Sequence, residues 1–271
     1  MEVILALWSR NLRIFWRNKP ALIVNMTLPF FFLFIFGGVF GDILAMLVGI
    51  IAATMFDSAF RISSSTVDDM TGGFMREVLV SPVPRAYISI GQFASSATIA
   101  AVQGTLILIG GFALGYRINS VFTLVFLLLT MLLIGITYAG FGLLIATKAK
   151  NTQTFQAFSM AVTMPMTFMS GAYIPISSMP RALQWLAFFN PLTYTVNLFR
   201  AVSLGALGQD FEFLYENNMA VQFWGMRIGT LESGIITAVF GIVFIILSSR
   251  SFAKLDFSKM NRQPGAFDIW S

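Results

Sequence analysis

Asp57 and Arg61 stand four residues apart near the end of a long apolar run. An ionisable group at membrane depth commonly couples transport to protons or cations, so Asp57 is a candidate ion site. The same spacing also makes an ordinary i, i+4 ion pair at the cytoplasmic end of a helix, which is the simpler reading. Little other chemistry is available. The chain has no His and no Cys, which removes the commonest transition-metal ligand, the usual neutral-pH base and every thiol nucleophile. No G-x-x-x-x-G-K-[ST], H-E-x-x-H or G-x-S-x-G occurs, so the chain is expected neither to hydrolyse ATP by itself nor to be an enzyme. The acidic residues Asp210, Glu212 and Glu216 read as a solvated loop.

The elements that position these residues are apolar. Of the 271 residues 57% are hydrophobic and 11% charged, against roughly 25% charged in soluble domains. That shortfall, spread along the chain, predicts an all-α polytopic membrane protein in a single domain, 1–271. Spans of about 20 apolar residues fall near 21–40, with Pro29 as a kink, then near 43–62, 87–114, 121–146, 154–172 and 234–247. Six spans leave both termini on one side. Thirteen of the 17 Lys and Arg lie in the segments this layout places inside, and four (Arg117, Arg181, Arg200 and Arg227) lie outside. The positive-inside rule then puts both termini in the cytoplasm, in a plasma membrane. The net charge of +5 is accounted for by these loops and implies no nucleic acid.

The first twenty residues, MEVILALWSRNLRIFWRNKP, do not form a secretory signal. Read as a helix, Leu5, Trp8, Leu12 and Phe15 share one face while Arg10, Arg13 and Arg17 share another. This predicts an interfacial helix over 1–20, lying on membrane lipids with its arginines reaching water. Residues 173–230 are too apolar for a solvated loop and are broken by Pro175, Pro180 and Pro191. They read as re-entrant helices on the outer side, with two further spans as the alternative. The pairs Gly37/Gly41 and Gly111/Gly115 have the spacing that lets helices approach closely, and packing within one subunit suffices to explain them. The phenylalanines of LPFFFLFIF could line an apolar path, although contact with lipid is the default.

The polar segment 63–85 contains GGFMREVLVSPVPR, in which FMREVLV forms a short amphipathic helix stopped by Pro82. Such a helix suits docking into a groove on a partner, or equally resting on the inner leaflet. This stretch resembles the cytoplasmic coupling segment of type-2 ABC exporter permeases. A second stretch, SGAYIPISSMPRALQWLAFFNPLTYTVNLFR (170–200), is similar to that family's outer segment. The N-terminal helix and six-span layout agree, and the drug-resistance and nodulation-factor export permeases are the nearest in kind. The first outer loop, GGVFGD, is short for the family and leaves no large outer domain there.

The resemblance implies a permease subunit that moves a hydrophobic or amphipathic substrate, such as a drug, lipid or glycolipid, out of the cytoplasm or inner leaflet. It implies a second permease subunit, identical or paralogous, and two copies of a separate ABC ATPase. ATP and Mg would be bound by that ATPase, with no cofactor or metal in this chain. Gly73, Phe74, Arg76, Glu77, Leu79, Ser81, Pro82 and Val83 would form the ATPase-coupling site. Tyr173, Pro175, Asn190, Pro191 and Tyr194 would frame an outer gate. An ion-coupled secondary transporter working through Asp57 stands as the alternative, and a non-transporting membrane scaffold as a third reading.

Overall fold

The computed structural model describes residues 2–71, 85–118 and 120–254. Helix α1 (Glu2–Arg17) leads into α2 (Lys19–Phe40), α3 (Ile43–Arg61) and the short α4 (Ser64–Thr71). After the undescribed stretch come α5 (Arg85–Phe112), α6 (Val121–Ala146) and α7 (Thr152–Phe168). The outer segment follows: a 3-10 turn (Ile176–Ser178), α8 (Arg181–Phe189), α9 (Pro191–Ser203), α10 (Phe211–Glu216) and the strands β1 (Val221–Phe223) and β2 (Met226–Ile228). Helix α11 (Thr230–Ala253) closes the described chain.

Local chemistry sets these boundaries. Asp42, Ser120 and Asn151 each accept a backbone N–H from the first turn of α3, α6 and α7, supplying partners that a helix start otherwise lacks. Gly41 ends α2 in the left-handed region, at φ 79°, and donates its N–H to the Gly37 carbonyl. Glycine adopts that conformation without a Cβ clash. The Gly37/Gly41 pair is therefore a helix stop, while a Cβ on Gly111 would meet the Leu47 side chain of α3 at 2.5 Å. Both glycine pairs thus act within one subunit.

Five stretches among the described residues are long and apolar enough to cross a membrane: Lys19–Phe40, Ile43–Met70, Ala86–Phe112, Val121–Ala146 and Thr230–Ala253. The expected fifth span is shorter than predicted. Helix α7 has 17 residues and stops at Phe168, giving about 25 Å of helix against a hydrocarbon layer of about 30 Å. Ser170 to Ala172 instead form a buried turn. Helix α3 is the centre of the bundle and packs against α2, α5, α6, α7 and α9. Its Phe56 meets Tyr138 of α6 edge-on at 4.6 Å, and Phe60 stacks on Phe155 of α7 at 5.9 Å. Helices α2 and α11 leave large apolar residues such as Phe34, Ile23, Leu231 and Ile235 exposed. An apolar exterior of this kind is suited to lipid.

Helix α1 also packs on α5, a contact the sequence did not point to. Leu7 and Asn11 are buried, whereas Leu5, Ile14 and Trp16 are exposed. The reason lies in the partner surface. Helix α5 presents Gln92, Ser95 and Thr98, so Asn11 donates to Gln92 Oε1 (2.8 Å) and Ser95 Oγ (2.9 Å), and Trp8 Nε1 donates to Thr98 Oγ1 (3.0 Å). Arg10 pairs with Asp69 of α4 through both guanidinium nitrogens, one at 2.7 Å. Hydrogen bonds to that carboxylate raise the Arg10 pKa above its ordinary value. The hairpin β1–β2 is unpredicted. It turns through Trp224 and Gly225, both with positive φ, the geometry favoured by two-residue hairpins.

Candidate transport cavity and outer corner

A cavity of about 220 Å³ opens between α2, α3, α5 and α7. Its wall includes Asn25, Pro29 and Phe32 of α2; Thr54, Asp57 and Arg61 of α3; Gln103 of α5; Thr163, Thr167 and Phe168 of α7; and Tyr173. Phe32, Phe36, Phe168 and Tyr173 form one aromatic cluster, with Phe32–Tyr173 and Phe168–Tyr173 centroids 5.0 and 5.2 Å apart. The Phe-rich run thus divides. Phe31 and Phe34 are exposed, while Phe32 faces the cavity.

The predicted Asp57–Arg61 pair is present but loose. Arg61 Nη1 lies 3.9 Å from Asp57 Oδ2, with the side chains 60% and 39% exposed. At that distance the contact is Coulombic without a hydrogen bond, so Asp57 keeps acceptor capacity toward the cavity. The acidic residues of the outer loop are exposed as expected, with Glu212 3.2 Å from Arg227. No group of three or more potential metal ligands occurs among the described residues.

The expected gate residues come together at a corner between α8 and α9. Each residue of NPLTY has a structural task. Asn190 accepts from Leu192 N (3.0 Å) as the cap of α9 and donates to the Met166 carbonyl in the last turn of α7 (2.6 Å). Pro191 starts α9, where its missing N–H costs nothing. Leu192 is fully buried. Thr193 and Tyr194 donate their hydroxyls to the Ala187 and Phe188 carbonyls, 2.8 and 2.6 Å away, at the end of α8. The Phe188 carbonyl thereby gains a partner that the helix does not supply, and the Ala187 carbonyl, which also accepts from Asn190 N, gains a second. Tyr173 and Pro175 are buried in the turn below.

Sequence reasoning missed the residue that ties this corner to the bundle. Arg200 of α9, counted above as an outer loop charge, is 2% exposed. Its Nε donates to Ala45 O of α3 (3.1 Å), Nη1 to Asn218 O (2.6 Å) and Nη2 to Gly171 O (3.2 Å). A planar fork of donors suits three converging carbonyls. The approach requires Gly49, where an added Cβ would lie 2.6 Å from Arg200 Nη2 and 2.7 Å from Ala172 O. The one available signal was Arg200 itself, a lone charge in an apolar, proline-broken stretch. The coupling residues Gly73, Phe74, Arg76, Glu77, Leu79, Ser81, Pro82 and Val83 lie outside the described residues.

Comparison with known proteins agrees with this architecture. A family model described as ABC-2 type transporter matches residues 2–204. Nodulation protein J of Rhizobium leguminosarum bv. viciae is 28% identical over 216 residues, covering 74% of this chain and 82% of that protein. The putative transport permease ycf38 of Cyanophora paradoxa is 28% identical over 203 residues, covering 73% and 67%. The probable multidrug ABC transporter permease YbhR of Escherichia coli (strain K12) is 30% identical over 143 residues, covering 52% and 38%. With five helices among the described residues long and apolar enough to cross a membrane and three-quarters of its length within one family model, the chain belongs to the ABC-2 type transporter family, as the multi-pass membrane subunit of an ABC transporter.

Proposed function

We propose that the chain is the permease of an exporter driven by a separate ATPase, moving a hydrophobic or amphipathic substrate out of the cytoplasm or inner leaflet. Family membership supports the transport role. The names of relatives, which include a nodulation protein and a probable multidrug permease, favour an amphipathic cargo. In this reading two permease subunits pair and two ATPase copies dock beneath them, holding the ATP and Mg. The segment 72–84 is the docking element, with Arg76 and Glu77 making charged contacts and Phe74 and Leu79 filling a groove. Tyr173, Pro175, Asn190, Pro191 and Tyr194 frame the outer gate, and α8 and α9 are its re-entrant helices. Helix α1 lies on the inner leaflet through its exposed Leu5, Ile14 and Trp16.

The observation that carries this layout is the way α7 is tethered. Thr152 at its start hydrogen-bonds Asp68 of α4, while the turn after its end supplies the Gly171 carbonyl to Arg200. Asp68 sits with the arginine-rich α1 end and Arg200 with the outer segment, so α7 and its turn serve as a sixth crossing despite its length. Six crossings keep both termini in the cytoplasm.

The test is co-purification with an ABC ATPase. Deleting residues 72–82 is expected to abolish capture, and Arg76→Ala with Glu77→Ala to weaken it about tenfold or more. Capture that survives the deletion would refute the docking assignment. Transport by the purified chain alone, without nucleotide and abolished by Asp57→Asn, would instead favour the ion-coupled reading.

A further inference from the structure

The cavity between α2, α3, α5 and α7 gathers acceptors around one acid. Asp57 contributes a carboxylate that Arg61 approaches only to 3.9 Å and that also accepts from Thr163 on the same wall. Thr54 gives its hydroxyl proton to Ile50 O at 2.7 Å, so it offers lone pairs to the cavity. Pro29 has no N–H for the Asn25 carbonyl one turn before it, and both residues line the same wall. Around these acceptors lie the faces of Phe32, Phe168 and Tyr173 and the thioethers of Met160 and Met164. Carboxylate, amide oxygen and aromatic faces are the partners of an organic ammonium group, and the aromatic and thioether walls suit the apolar body attached to it.

We propose that this cavity binds the cationic, N–H-bearing end of an amphipathic organic substrate, with Asp57 as counter-ion and the Thr54 hydroxyl oxygen as second acceptor. Arg61 competes with that ligand for Asp57. The proposal rests on the reading of the chain as a transport subunit and names the class of its cargo.

The test uses the full chain in phosphatidylcholine nanodiscs and a fluorescent amine, monodansylcadaverine, beside its neutral N-acetyl derivative. The ammonium form is expected to bind at least about tenfold tighter than the neutral form. Asp57→Asn should erase that preference and Asp57→Glu should keep it. Thr54→Val should weaken ammonium binding about threefold. Arg61→Gln should tighten it, a gain that a purely structural ion pair would not produce. Equal binding of the two probes by the native chain would overturn the proposal. So would a preference that survives Asp57→Asn, or an Arg61→Gln variant that loses binding as Asp57→Asn does. ATPase capture by the same native chain separates the two readings. Intact capture with charge-blind binding removes the ligand class alone, whereas absent capture removes the transport role on which it rests.

Discussion

Arg200 brings a full positive charge into a site where its guanidinium meets carbonyl oxygens rather than a carboxylate. Removing it takes the donor from the Gly171 and Asn218 carbonyls, each with a desolvation cost, while the Ala45 carbonyl keeps its bond within α3. Arg200→Met is expected to lower stability by about 2–4 kcal/mol, read as a fall in the melting temperature of the detergent-solubilised chain. Gly49→Ala should cost about 1–3 kcal/mol at the same site, since a methyl group cannot enter without displacing Arg200 or the 171–172 turn. Because the two residues touch, their effects should fall short of additive in the double variant. Neither was legible as a partner of the other in the sequence. An arginine in an apolar stretch announces that something must satisfy it, but three carbonyls lying 155, 29 and 18 residues away leave no local pattern.

At the scale of elements, the α8–α9 corner and the α1–α5 contact make opposite cases. The corner was readable as a helix break from Asn190 and Pro191, because caps and proline starts act over a few residues. What was not readable is that Thr193 and Tyr194 close the preceding helix. Asn190→Ala should cost about 1–2 kcal/mol through the lost cap, and Tyr194→Phe about 1 kcal/mol, both measurable by thermal unfolding. Helix α1 was legible as a helix with arginines on one side, but its contact with α5 was not. Apolar periodicity identifies the side that avoids water, and for a helix between protein and lipid two environments qualify. Here the polar row of α5 takes Asn11 and Trp8, which leaves Leu5 and Trp16 outward. Cysteines placed at Trp8 and Thr98 should cross-link readily. Asp69→Ala, by removing the carboxylate that ties Arg10 to α4, should reduce the cross-linked yield several-fold, and the native absence of cysteine makes that yield unambiguous.

At the scale of the molecule, hydropathy located every long span to within a few residues, since burial in lipid demands about 20 apolar positions wherever it occurs. It overestimated α7, whose apolar continuation through Ser170–Ala172 is apolar because it packs under Arg200 and Tyr173 rather than because it is helical. The proposed sidedness is directly measurable. A single cysteine at Ser177 or Asp210 should react with a membrane-impermeant maleimide on intact cells, and one at Met75 after permeabilisation alone. The reverse pattern would invert the assigned topology.

Helices α3 and α4 run together from Ile43 to Met70, 28 residues or about 42 Å, with a single interruption at Ile62–Ser63. Ala45 near one tip sits in the Arg200 cradle, and Asp69 near the other holds Arg10. The two sides of the bilayer are therefore joined by one buried strut, clamped at each extremity. A displacement applied at Thr71 has two outlets: it bends the strut at its lone weak joint, or it arrives at the guanidinium as a tug on the outer corner.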